Sequence, residues 1–270
     1  MLQFFNVCMF ELARLYKISV KNLLLARWIW AYFAFFLIIS FGLFRYSPTL
    51  SGAMVSYMNV VVLVIPLIAT IIGSMYYYNN YDFSMMMLTQ PIKRMSVFLG
   101  QLWALISMLS FSFLLGSIGG TLYFGFDETL LIQLIILMIC GVFLNAIFTS
   151  MAFLLAVKMD DKVKGIGSAL FIWLFMAIVY DGLLLAYFYA FGQYPVENHA
   201  IIFSLINPID LSRVVVMLQM DVAALMGYTG AVFKSFFGNT KGLSISLLAL
   251  VFWVAVLQLL LWRTVRKKDF

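Results

Sequence analysis

Asp181 is the one acid set well inside a long apolar stretch, with Tyr180 beside it and Tyr187 further along. A carboxylate is costly in hydrocarbon, so it must face other helices or a water-filled cavity. Three uses are open to it: a substrate contact, a proton site, or a hydrogen-bonded clamp between helices shared with Tyr180 or Tyr187. A second polar group follows in Asn207-Pro208-Ile209-Asp210. It reads as a helix start, with Asn207 as the cap and Pro208 at the first helical position. Arg213 stands three residues beyond Asp210, close enough on a helix to pair with it. Asn207, Pro208, Asp210 and Arg213 are therefore a candidate extracytoplasmic gate or docking platform, or a loop folded over the helices.

Other residue types that could do chemistry lack the necessary spacing. Met85, Met86 and Met87 are soft thioethers that suit copper. Consecutive positions on a helix point in different directions, however, which favours packing. His199 is the only histidine, and Cys8 and Cys140 fall in a terminal segment and an apolar stretch. No H-E-x-x-H, C-x-x-C, G-x-S-x-G or G-x-x-x-x-G-K-[ST] pattern occurs. The chain thus carries no catalytic constellation, should bind no cofactor itself and should not hold ATP through a phosphate loop.

The elements that position these residues are set by composition. The chain is 65% hydrophobic and 10% charged, with mean hydropathy +1.05, whereas soluble domains carry about 25% charged residues. Runs near or above the ~20 residues that cross a bilayer fall at Trp28–Phe44, Ala53–Tyr78, Val97–Phe124, Thr129–Val157, Gly165–Phe191 and Leu243–Trp262. Uninterrupted apolar runs lack the alternation of a barrel, and helices satisfy their own backbone. The expectation is an all-α integral membrane protein with six transmembrane helices in one domain. Residues 1–26 would be an amphipathic elbow helix, 28–191 spans one to five, 192–242 an extracytoplasmic segment, 243–262 span six and 263–270 a tail.

Of the 17 lysines and arginines, all but Arg45, Arg213, Lys234 and Lys241 lie on one side of the spans. Positive charge collects in the cytoplasm, so both termini are expected there. The net charge of +6 then reflects topology and not nucleic-acid binding. Arg14, Lys17 and Lys21 share one face of the N-terminal segment and suit anionic lipid headgroups. Between spans two and three, Asn79–Arg94 is too long for a tight turn. Asp82 or Ser84 could cap a short helix there, and Pro91 would end it. With Met85, Met86 and Met87 as flexible contacts, such a helix would plug a socket on another protein. Residues 192–242 should hold short extracytoplasmic or re-entrant helices before span six, with Val222–Phe237 interfacial or re-entrant in the outer leaflet.

This arrangement resembles the type-2 ABC transporter permeases, which pair with separate ATPase subunits. Within that group it is most similar to the NosY-type permeases of nitrous oxide reductase maturation. Leu205-Ile206-Asn207-Pro208-Ile209-Asp210-Leu211-Ser212-Arg213 matches the family's L-x-N-P-x-D-x-x-R. Val179-Tyr180-Asp181 through Ala186 resembles its fifth span. Leu88-Thr89-Gln90-Pro91-Ile92-Lys93-Arg94 keeps the P-x-x-R ending of its loop, followed by Leu99-Gly100. The chain departs from the family in carrying Asp82-Phe83 in place of a Gly-Thr, Gln101 in place of a lysine, and no compact K-E-L motif near the start.

The resemblance implies a homodimer in the bacterial inner membrane. A cytoplasmic ABC ATPase, holding ATP and Mg, would grip Asp82, Met85, Met86, Met87, Pro91, Lys93 and Arg94. A periplasmic β-helix protein would sit on the outer helices during copper-centre assembly. Two rivals stay open: a general ABC exporter of lipid, peptide or drug, and a non-transporting membrane anchor.

Overall fold

The computed structural model describes residues 2–90, 92–125, 127–191, 197–219 and 240–268. In chain order the helices are α1 (Leu2–Leu24), α2 (Arg27–Tyr46), α3 (Leu50–Asn79), α4 (Tyr81–Leu88), α5 (Arg94–Thr121) and α6 (Glu128–Lys158). Then come α7 (Lys162–Leu174), a π-helical turn (Phe175–Val179), α8 (Tyr180–Phe191), α9 (Glu197–Ile206), α10 (Pro208–Gln219) and α11 (Thr240–Lys267). Among the described residues there is no strand. Six helices are long and apolar enough to cross a membrane: α2, α3, α5, α6, the continuous run Lys162–Phe191, and Gly242–Lys267 within α11. The chain is an all-α, multi-pass membrane protein. Pro91 and the Val222–Phe237 segment lie outside the described residues.

Each span reaches within a few residues of its expected ends because hydrocarbon requires a continuous run of self-bonded helix. Lys and Arg cluster at one end of the bundle, here termed the basic face. The opposite end is the far face.

α6 runs through the centre of the bundle, packed against α3, α5, α7, α10 and α11. Its middle is almost wholly buried, from Leu144 and Asn145 to Phe153. Lipid tails are as apolar as leucine, so close backbone approach and buried hydrogen bonds must hold such helices together. Both occur where α2 meets α5. A Cβ on Gly116 would come 2.7 Å from the Phe33 carbonyl, and one on Gly120 would come 1.9 Å from Ser40 Oγ. Ser112 Oγ donates to the Ile29 carbonyl at 3.0 Å, and Ser40 Oγ to the Gly116 carbonyl at 3.3 Å. Phe36 and Phe113 meet edge-on with ring centroids 5.0 Å apart. Deeper in, Tyr32 Oη donates to Asn145 Oδ1 at 3.2 Å, and Tyr57 bonds Ser117.

α1 follows the amphipathic pattern expected of it. Leu15, Ser19 and Leu23 form a buried stripe at four-residue spacing, while Arg14, Lys17 and Lys21 are exposed. The helix lies against the start of α5. A Cβ on Gly100 would sit 3.2 Å from that of Leu15, and Tyr16 Oη donates to Ser107 Oγ at 2.9 Å.

Of the extracytoplasmic or re-entrant short helices expected before span six, the described ones, α9 and α10, are re-entrant. α9 runs back along α8, with Tyr187 beside His199 and against Phe203. The hairpin turns at Asn207, whose side chain reaches the carbonyl of Met176, halfway along Lys162–Phe191. Trp253, halfway along α11, donates to the Leu205 carbonyl. α10 then returns toward the far face, where Gln133 near the start of α6 donates to the Gln219 carbonyl at 2.8 Å. The pair α9–α10 is thus a re-entrant hairpin, whose turn lies at the mid-depth of the bundle.

Candidate functional site

Two polar groups stand out, one at the turn of the hairpin and one on the basic face. The first grows from the π-helical turn. There the Tyr180 N–H bonds the Phe175 carbonyl, five residues back. Such a bulge leaves main-chain oxygen without an in-helix partner, and these bulges recur at functional sites. Asn207 Nδ2 donates to the Met176 carbonyl at 2.7 Å, while Asn207 Oδ1 accepts the Ile209 N–H at 3.1 Å. One side chain therefore caps α10, as expected from sequence, and closes the bulge in span five.

The last turn of α9 ends in the apolar middle, so its carbonyls need donors from elsewhere. Tyr180 Oη donates to Phe203 at 2.7 Å, and Trp253 Nε1 to Leu205 at 3.3 Å. Next to these bonds Arg213 Nη1 meets Asp181 Oδ2 at 2.6 Å. Arg213 does not pair with Asp210 at three-residue spacing, as the sequence suggests. The Asp210 carboxylate instead accepts the Ser204 hydroxyl at 2.9 Å, fastening α10 to α9. Asp181, Asn207, Asp210 and Arg213 thus come together, although Asp181 lies far from the others in the chain. Asp181 ties span five to α10, with arginine and not tyrosine as its partner. The side chains of Arg213 and Asp181 keep 25% and 29% exposure. Pro208 is buried at the start of α10.

The second group is built around α4. Asn80 precedes this helix without a side-chain cap, and neither Asp82 nor Ser84 caps it. Ser84 is buried instead: its hydroxyl donates to the Asn80 carbonyl at 2.8 Å and accepts from Gln101 Nε2 at 3.0 Å. Gln101 so locks α4 to α5. Met85 and Leu88 pack on the core, Met87 is half-buried, and Asp82 and Met86 face outward. The methionines therefore point apart.

Around α4 the basic face is laced together. Tyr78 Oη donates to the carbonyls of Met159 and Asp161 at 2.9 and 3.2 Å. Asp161 caps α7, accepting the Val163 N–H at 2.7 Å. Lys268 Nζ donates to the Val157 carbonyl at 2.6 Å and to Asp160 Oδ1 at 2.7 Å. Arg94 Nη1 donates to the Lys268 carbonyl at 3.3 Å. Lys93 is exposed beside it. The hydrogen bond and charge of Lys268 hold the Asp160 carboxyl below the usual carboxylate value. The tail, the start of α5 and the α6–α7 turn thus form one unit.

Sequence reasoning missed Ser204 and Trp253 in the first group and Asp160 and Lys268 in the second. Serine and tryptophan in apolar helices carry no signal of which carbonyl they serve. Lys268 was visible only as one of the basic residues of the tail, and nothing in the sequence linked Asp160 to it. The chain matches no protein-family model, and no curated protein matches it significantly.

Proposed function

We propose that the chain is the transmembrane subunit of an ATP-driven ABC transporter. In this reading it acts as a homodimer in the bacterial inner membrane with the basic face in the cytoplasm. The observation that carries it is the mounting of α4. A short helix is bolted by Ser84 and Gln101 to a spanning helix, with Asp82 and Met86 left outward. That is the form a mechanical contact requires: a rigid root and a free crown. A cytoplasmic ATPase, with its ATP and Mg, would press on α4, and α5 would carry the displacement into the bundle. The hairpin α9–α10, tied to span five by Asp181–Arg213 and Asn207–Met176, would rearrange between two packings. The chain itself hydrolyses nothing and binds no cofactor in this scheme.

The more specific task we propose is copper-centre maturation of nitrous oxide reductase, with a periplasmic β-helix protein on the far face. It rests on the similarity of Leu205–Arg213 and of the Leu88–Arg94 loop to the NosY-type pattern. The asparagine, aspartate and arginine of the first motif are the residues that hold the hairpin together.

The test is reconstitution in a bilayer with the cytoplasmic ATPase encoded beside its gene. ATP turnover should depend on the chain, and Met86→Arg should abolish that dependence without changing the chain's elution or melting. Equal turnover with and without the chain would refute the coupling. Copper-centre assembly, scored in cells carrying the same variant, separates the maturation role from general export.

A further inference from the structure

Between α3, α4 and the α6–α7 turn the basic face opens into a cleft of about 270 Å³. Three tyrosines, Tyr77, Tyr78 and Tyr81, line it with Asp82 and Asp160. The ring of Tyr77 lies 5.4 Å from that of Tyr78 and 6.2 Å from that of Tyr81. The cations at its edge are already engaged: Lys162 donates to Asn79 Oδ1 at 3.1 Å, and Lys268 to Asp160 and Val157. Two groups in the cleft are not matched. Tyr77 is 3% exposed, and its hydroxyl is buried with no hydrogen-bond partner, within the electrostatic field of Asp160. Asp82, at the outer lip, makes no ion pair among the described residues.

A buried hydroxyl without a partner costs roughly 1–3 kcal/mol. It marks a place where a donor or acceptor is awaited. An exposed carboxylate nearby calls for positive charge, and tyrosine faces attract the same charge through their quadrupoles. An arginine answers all three features, because its planar fork offers five donors and stacks on aromatic rings. An ammonium is a point charge and meets the carboxylate without the stacking.

We infer that this cleft receives an arginine side chain of the cytoplasmic ATPase, its guanidinium bridging Asp82 and the Tyr77 hydroxyl against the tyrosine rings. The inference rests on the proposed docking of an ATPase at α4. It adds a second contact: α4 would press outward through Met86 while the partner's arginine enters behind it. A push on α4, which Ser84 and Gln101 fasten to α5, and a pull on Tyr77 of α3 would then reach two different spans from one partner.

The experiment uses the full chain in lipid nanodiscs and the purified ATPase encoded beside its gene. Asp82→Asn should weaken binding about tenfold and flatten its salt dependence. Tyr77→Phe should weaken it about threefold. A photoreactive benzoylphenylalanine at Tyr81 should label an ATPase peptide at an arginine, whose replacement by glutamine reproduces the Asp82→Asn defect. If both variants bind like wild type while Met86→Arg does not bind, the arginine pocket falls and docking at α4 stands. If label from position 81 lands on lipid or on another copy of this chain, the pocket also falls. If wild type binds no ATPase, the docking reading itself is wrong and the inference goes with it.

Discussion

Asp181 and Arg213 carry opposite charges across two elements, and neither is tolerable there alone. An exposed pair contributes at most ~1 kcal/mol, whereas breaking a buried one costs ~3–5 kcal/mol because a bare charge remains. With about a quarter of each side chain exposed, the pair belongs between these limits. Asp181→Asn and Arg213→Gln should each cost about 1–3 kcal/mol of stability in detergent melts. The double variant should cost less than their sum, since it strands no charge. Strict additivity would show that the two residues do not depend on each other. Asn207→Ala should add a separate loss of about 1–2 kcal/mol, from the lost cap and the exposed Met176 carbonyl.

At this scale the sequence revealed which residues matter better than what they touch. Asp181 declared itself by sitting in an apolar run. Its partner stayed hidden because local spacing offered Arg213 a nearer acid in Asp210. Tertiary packing overrode that spacing by giving Asp210 to Ser204.

Among elements, the spans were legible because the bilayer demands long apolar helices whatever the neighbours. For the hairpin the sequence left extracytoplasmic and re-entrant placements both open, since α9 and α10 have 10 and 12 residues, short of any span. Nor does Phe175–Val179 announce a π-helical turn by composition. Close contact between α2 and α5 depends on residues without side chains. Gly120→Leu should therefore lower the melting temperature through a forced separation worth about 1–3 kcal/mol or more. The same change at Gly42, where nothing lies within 4 Å of a Cβ, should leave it unchanged. Equal effects at the two positions would deny that the approach matters.

The tail is an element in its own right. Asp160 is fully exposed with a depressed pKa, because Lys268 favours its charged form. The contribution of that contact is complete above the ordinary carboxylate pKa and fades as pH falls through the depressed folded value. A spin label near Lys268, attached at Lys267, should thus report an ordered tail at neutral pH and a freer one in acid. Asp160→Asn should be free at both. A tail whose order ignores pH and this substitution would show that the Lys268–Asp160 contact does not hold it.

The whole molecule joins a basic face, where α4 and the tail are tied to the spans, to a hairpin turning at mid-depth. Charge asymmetry and hydropathy made the first outline of that molecule readable, while the joining required three-dimensional contacts. The two ends should move together. Spin labels at Thr89, just past the end of α4, and at Ile202 on α9, both exposed, allow the distance between them to be measured in the reconstituted complex. With ATP trapped on the partner, the distance distribution should shift relative to the nucleotide-free state, and Asp181→Asn should broaden or abolish the shift. Identical distributions with and without nucleotide, in a complex that hydrolyses ATP, would contradict transmission from α4 to the hairpin.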